Sequence, residues 1–183
     1  VGGCRRLRAV RLGRLVLMNL SQVTTLRMGG PAKKVVEATT EAELIDAVRS
    51  ADQTGEPVLL VAGGSNLVVA DVGFDGTVVL IRTSGISEEV DDCSGALVTV
   101  AAGENWDDFV AYAISRDWAQ VEALSGIPGA VGSTPIQNVG AYGQQVSDTI
   151  ASVRTWDRQE NRVTTLMAAD LNFGYRSSLF KTQ

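Results

Sequence analysis

The chain has 183 residues, 45% of them apolar and 20% charged, a net charge of −5, no histidine, and two cysteines, Cys4 and Cys93. A chain of this size buries roughly 70% of its unfolded surface on collapse and needs neither metals nor disulfides to hold a core. The composition excludes disordered and collagen-like classes and offers no apolar run of about 18 residues to span a membrane; the residue inventory excludes a Ser-His-Asp triad, a His-based zinc site and a C-x-x-C redox pair.

In chain order, the first segment is basic: Arg5, Arg6, Arg8, Arg11 and Arg14 give residues 1–17 a charge of +5, which leaves −10 on the rest. An acidic body is a poor partner for nucleic acid, since phosphate neutralisation needs clustered Lys and Arg. Residues 1–18 read as a basic leader, a frayed tail or sequence upstream of the true start rather than a transit peptide or membrane-surface helix. Gly2, Gly3 and Gly13 weaken a helix, and ordinary folded sequence opens at Met18.

Residues 40–43, TEAE, form a capping box; Leu44, Ile45 and Val48 then share one face of a helix that Gly55 and Pro57 end. The apolar run 57–62 predicts a buried strand entering a tight loop at Gly63–Asn66, and 77–82 predicts a second strand of the same type. With Val35 and Val36 these make a first α/β unit over 19–83. A second unit, 84–183, opens on a strand at 96–102. Trp106, Phe109, Val110, Ala113 and Ile114 then follow helical spacing, closed by Arg116 and Asp117. The runs 150–156 and 162–166 predict a hairpin around the polar turn 157–161. The last residues, 180–183, carry no cap, charged tail or Gly/Pro stop, which reads as a cut rather than a natural end.

Three stretches carry the chemistry. Residues 125–143, SGIPGAVGSTPIQNVGAYG, hold five of the 19 glycines and two of the four prolines, with no charge. Two readings stand: a loop against a large neutral planar ligand, with glycines admitting close backbone approach and Ser133, Thr134, Gln137 and Asn138 supplying hydrogen bonds, or a tightly packed crossover between sheets. The GGSNL stretch at 63–67 reads as an anion-binding concavity of successive N–H groups or as a plain turn. It is not a Walker A loop, and the chain has no dinucleotide fingerprint. In the third stretch, GYRSS at 174–178, Arg176 is a guanidinium between the polar handles Tyr175 and Ser177, whereas Arg27 and Arg82 suit surface or interface roles. Trp106, Trp118 and Trp156 read as core residues and Cys93 as an ordinary thiol.

The ordered set TTLRMGGP (24–31), GGSNL (63–67), GENW (103–106), SGIPG (125–129), QNVGAYG (137–143), FGYR (173–176) and SLFK (178–181) resembles the FAD-binding portion of the UDP-N-acetylenolpyruvoylglucosamine reductase family, from about Leu20 to the last residue. The resemblance implies an α+β fold of the vanillyl-alcohol-oxidase type. Two subdomains hold a non-covalent FAD between them, and a third, substrate-binding domain is missing here. It implies that Gly63, Gly64, Ser65, Asn66 and Leu67 hold the pyrophosphate. Ser125, Ile127, Pro128, Gly129, Gly132 and Ser133, with Gln137, Asn138, Gly140, Ala141 and Tyr142, would wrap the ribityl chain and flavin ring. The implied reaction uses NADPH to reduce the enolpyruvyl group of UDP-N-acetylglucosamine enolpyruvate to UDP-N-acetylmuramate, in cytoplasmic peptidoglycan precursor synthesis.

Hydride addition beside a carboxylate builds negative charge, which Arg176 would stabilise without any histidine. The serine that donates the proton and the assisting glutamate belong to the family's third domain, so this chain is expected to bind FAD and to be inactive alone, as a monomer with no metal, membrane or nucleic-acid partner. Two alternatives remain: a stand-alone flavin- or nucleotide-binding module, and another oxidase of the same fold, whose covalent flavin would have only Cys93 as a link.

Overall fold

A computed structural model of the chain describes residues 18–91, 93 and 95–182. The predicted basic leader lies outside them except for Met18, which already belongs to the first strand, β1 (Met18–Asn19). β1 runs antiparallel to β2 (Pro31–Ala38), which pairs in parallel with β4 (Phe74–Ile81), itself parallel to β3 (Val58–Val61), giving the order β1-β2-β4-β3.

Between β2 and β3 lies α1 (Glu41–Thr54), set by the predicted capping box: the Thr40 hydroxyl accepts from the Glu43 N–H at 3.2 Å while the Glu43 carboxylate accepts from the Thr39 and Thr40 N–H groups at 2.9 and 3.2 Å. Gly55, at φ 67°, closes the helix in the left-handed conformation that suits glycine. The buried face of α1 is Ala47, Val48 and Ala51, with Leu44 packed beside it and Ile45 only half-buried. The predicted face is thus turned toward small residues, which let the helix lie close to the sheet.

Alternation along β4 builds two layers. Val78 and Leu80 join Leu20, Ala32, Val35 and Val61 on one face, while Val79 meets Ala38 and Ala47 under α1 on the other. β4 is the central strand, and β3, predicted to be buried, is the edge, with Leu60 49% exposed. Short continuous apolar runs look alike at the edge and centre of a sheet, so the sequence did not separate the two.

The second half begins with the hairpin β5 (Ile86–Asp91) and β6 (Gly95–Val100). α2 (Trp106–Ser115) follows, capped by Asn105, whose side-chain Oδ1 accepts from the Asp108 N–H at 3.1 Å. Trp106, Val110 and Ala113 of α2 pack with Val121, Leu124, Val139 and Val146 in a second core. Ile114, predicted on that face, is 49% exposed. The short hairpin β7 (Gly140–Ala141) and β8 (Gln144–Gln145) and the predicted hairpin β9 (Ser152–Asp157) and β10 (Arg162–Met167) complete this half, before α3 (Leu179–Thr182).

The β9–β10 hairpin lies on the solvent face of α1. Arg154 bonds both Glu41 oxygens at 3.0 and 2.8 Å, and Arg158 both Asp52 oxygens at 3.2 and 2.6 Å. Arg49 donates to Asn161 at 3.0 Å and stacks 5.0 Å from the Trp156 ring centroid, so this tryptophan serves a junction between the two halves rather than a core. The Arg154 and Arg158 hydrogen bonds hold the Glu41 and Asp52 carboxyls below the usual carboxylate range. A carboxyl depressed in the folded state stabilises above its unfolded pKa and loses that contribution as the pH falls through the folded one. The melting-temperature lead of the native chain over an Arg154→Ala/Arg158→Ala variant is therefore full at neutral pH and closes below about pH 4. Melting curves of both proteins across that range check it, and added salt narrows the lead at neutral pH.

Candidate functional site

The turn that leaves β3 sits against the segment after β1. Gly64 has φ 65° and its carbonyl accepts from the Thr25 N–H at 3.0 Å; a Cβ there would collide with the Val23 carbonyl oxygen. The next glycine-rich turn, 125–129, comes up against it. A Cβ on Gly63 would lie 3.1 Å from the Gly129 Cα, and the Ser65 hydroxyl donates to the Pro128 carbonyl at 3.3 Å. From there the chain runs beside the start of α2: Trp106 N–H donates to the Gly129 carbonyl at 3.1 Å, Val131 N–H to Glu104 at 2.9 Å and Gly132 N–H to Ala102 at 2.9 Å, with Gly132 pressed on Ala102 where no side chain fits.

Two glycine turns thus meet backbone to backbone. Among the described residues no hydrogen bond takes the N–H of Gly63, Gly64, Ser65 or Asn66, nor that of Gly129 or Gln137, and the side-chain amides of Asn66 and Gln137 are also unused. Two facing turns with unspent backbone donors, one of them closed to a Cβ at Gly64, fit a ligand that brings acceptor oxygens close to the main chain, as a pyrophosphate does. Ser133 donates to Ala130 at 2.7 Å. Leu67 and Ile127 are half-buried and pack against the first and second cores, which anchors the two turns.

The second part of the site is built on Asn138, 2% exposed and at φ 45°. Its Nδ2 donates to Gln145 Oε1 at 2.9 Å and to the Gly174 carbonyl at 3.0 Å, and its Oδ1 accepts from the Ser147 N–H at 3.1 Å. Asn138 thereby cross-links the β7–β8 hairpin to the turn 174–177, and the buried Ser178 adds a second tie by donating to the Ile136 carbonyl at 2.7 Å. Each turn projects a tyrosine: Tyr142 is 94% exposed and Tyr175 93%. Between them is a cavity of about 410 Å³ also lined by Gly140, Ala141, Gln144 and Arg176. Arg176, at φ 52°, is the only charge on that lining, and among the described residues no hydrogen bond uses its guanidinium. An unspent cation over neutral walls suits an anionic group.

The structure therefore gathers the sequence-predicted residues at two places. Gly63–Asn66 meet 125–133 at one, and 137–142 meet Arg176 at the other. Arg82, read as a surface or interface residue, donates to the carbonyls of Ala62 and Ile81 at 2.9 and 3.0 Å and so anchors the residue before the first glycine turn. Sequence reasoning missed Val23, Gln145 and Asp107, which accepts from the start of the second turn; none carries a periodic or motif signal. A larger depression of about 570 Å³ lies beside the end of α1, but its Lys33 is already paired with Glu56 and Asp75 at 3.5 and 3.1 Å, and none of the motif residues lines it.

The FAD binding domain family matches residues 32–166. The UDP-N-acetylenolpyruvoylglucosamine reductase of Cutibacterium acnes is 59% identical over 164 residues, 90% of this chain and 44% of that protein. The same reductase of Salinispora arenicola is 50% identical over 163 residues, 89% of this chain and 45% of the other. The crystal structure of the Thermus caldophilus reductase superposes with a TM-score of 0.71 at 27% identity, covering 90% of this chain and 56% of that one. The VAO-type flavoprotein of Myceliophthora thermophila C1 gives 0.57 at 18% identity over 72% of this chain and 26% of that one, a likeness of fold alone. The fold is that of the vanillyl-alcohol-oxidase type, as the motifs implied. The chain spans less than half the length of the curated relatives it matches.

Proposed function

Because the chain belongs to the FAD binding domain family, we propose that it is the flavin-holding part of a UDP-N-acetylenolpyruvoylglucosamine reductase, with the cofactor bound non-covalently between the units 19–83 and 84–183. The observation that carries this reading is the approach of Gly63 to Gly129, which brings unspent N–H groups of two loops to one place. In this reading the backbone N–H groups of 63–67 take the pyrophosphate, and the Ser65 hydroxyl ties their turn to Pro128. Residues 125–133 lie along the ribityl chain, and Gln137, Gly140, Ala141 and Tyr142 lie beside the ring, on a hairpin that Asn138 holds in place.

When bound, FAD supplies the hydride chemistry. Arg176 offers its guanidinium to the substrate carboxylate, where negative charge gathers as the double bond is reduced. The neutral walls of the Arg176 cavity leave that charge uncompensated and therefore available. NADPH as reductant and a cytoplasmic role in peptidoglycan precursor synthesis are part of this proposal, and the likeness to the Cutibacterium acnes UDP-N-acetylenolpyruvoylglucosamine reductase supports UDP-N-acetylglucosamine enolpyruvate as the substrate. The described residues contain no helix long and apolar enough to cross a membrane.

The test uses this chain and a chimera that appends the part of the Cutibacterium acnes reductase beyond the matched region. The purified chain should turn yellow with one FAD and release all of it on denaturation. The chimera should oxidise NADPH only when the enolpyruvyl sugar is present, and the chain alone should not. Steady turnover by the chain alone overturns the part-protein role. A flavin-loaded but inert chimera overturns the reductase reading in favour of a flavin-binding module, and a colourless chain overturns both.

A further inference from the structure

The glycine turn 125–129 carries no charge and belongs to no strand ladder, yet Gly129 must stand against Gly63 for the two loops to meet. Three consecutive residues at the start of α2 hold it. Asn105 forms a β-bridge with Ala130. Trp106 donates through its indole N–H to the Leu124 carbonyl at 3.0 Å and through its backbone N–H to the Gly129 carbonyl at 3.1 Å. Asp107 takes the middle: its Oδ1 accepts from the Gly126 N–H at 2.6 Å and from the Ser125 hydroxyl at 2.9 Å. Gly126 sits at φ 76°, in the left-handed region that suits glycine, and nothing lies within 4 Å of where its Cβ would be. Its hydrogen bond to Asp107 ties it to the start of α2.

Resting on the FAD reading above, we infer that Asp107 is a positioning residue for the flavin, a carboxylate clip that fixes the 125–129 turn against Gly63 and so preorganises the cofactor loop. A carboxylate is the wrong sign to hold a pyrophosphate, so its value here lies in the loop donors it collects. Hydrogen bonds to an ionised acceptor are shorter and stronger than neutral ones, as the 2.6 Å contact is. The first turn of a helix also favours a negative side chain, and the bonds from Gly126 and Ser125 hold the carboxyl below its usual range. Asp107, Ser125 and Gly126 are all exposed. When Asp107 is removed, water can satisfy the two released donors, so the fold survives and the cost falls on ordering the loop when the ligand binds.

The experiment is an FAD titration of the apo-protein for the native chain, Asp107→Ala, Asp107→Asn and Ser125→Ala, each with a melting curve taken without flavin. Asp107→Ala should weaken FAD by roughly tenfold or more, as loss of preorganisation predicts, with the apo melting temperature little changed. Asp107→Asn keeps an Oδ1 that accepts both bonds and should recover most of the affinity; Ser125→Ala removes one donor and should fall between. Equal affinity in the native chain and Asp107→Ala overturns the clip alone. A loss that tracks a fall in apo stability, with no recovery in Asp107→Asn, also overturns it, because the residue is then merely structural. Failure of the native chain to bind FAD overturns the FAD reading and the clip with it.

Discussion

Replacing Gly64 with alanine should weaken flavin binding about 100-fold or more and lower the melting temperature, while the same replacement at Gly55 should do neither to a comparable degree. Both glycines have a positive φ, 65° and 67°. Alanine in that region costs roughly 1–2 kcal/mol at either position. The surroundings differ: Gly55 has nothing within 4 Å of its would-be Cβ, whereas at Gly64 that atom runs into the Val23 carbonyl. Relief requires either the turn to open or the segment from Val23 to Thr25 to retreat, and that segment is tied to Gly64 through the 3.0 Å bond from Thr25 N–H. Overpacking of this kind adds about 1–3 kcal/mol. For a chain of this length the sum corresponds to a melting-temperature drop of roughly 5–15 °C. Opening the turn also disperses the N–H groups of 63–66, so FAD affinity should fall by about 100-fold or more, each factor of ten being about 1.4 kcal/mol. Melting curves and FAD titrations of the two variants, measured together, separate the clash from the backbone strain they share.

The same glycine shows what was legible in the sequence. An uncharged, Gly-rich turn directly after an apolar strand signals close approach, but not which segment approaches. The partner at Gly64 is a carbonyl some forty residues earlier, and the partner of Gly63 is Gly129. Local rules did well where one turn of chain determines the outcome. The Thr40 capping box, the Gly55 stop, the spacing of α2 and the β9–β10 hairpin all follow from residues within a few positions of each other. They failed where the outcome depends on a distant neighbour. β3 and β4 have the same kind of apolar run, and only the insertion of β4 between β2 and β3 makes one the centre and the other the edge. β5, ISEEVD, has too few apolar residues for alternation to show, and its half-buried Glu88 is matched by the distant Arg116 and Tyr112. Arg154 and Arg158 look like ordinary surface charges until α1 supplies Glu41 and Asp52.

Asn138→Ala should be the second severe substitution, with a different signature. The side chain is almost wholly enclosed and all three of its hydrogen bonds go to the protein: Gln145, the Gly174 carbonyl and the Ser147 N–H. Alanine leaves three polar groups without that partner and keeps a φ of 45° that asparagine tolerates better. Water reaches some of these groups, so the cost is about 2–4 kcal/mol rather than the sum of three full penalties. Asn138→Gly relieves the backbone but not the bonds and should be milder by about 1 kcal/mol. Asn138→Asp keeps the acceptor for Ser147 but faces the Gln145 oxygen and the Gly174 carbonyl with a carboxylate, and should be worse than alanine. The turn 174–177 then keeps its tie through Ser178 but loses the one that sets it against the β7–β8 hairpin, so Arg176 shifts relative to the cavity it lines. Because the pyrophosphate turns Gly63–Asn66 and 125–129 are untouched and only the hairpin beside the ring loosens, FAD affinity should fall less than in Gly64→Ala. In the chimera, turnover should fall well beyond any loss of flavin. A variant that lost flavin and turnover in step would instead make Asn138 part of the cofactor contact itself.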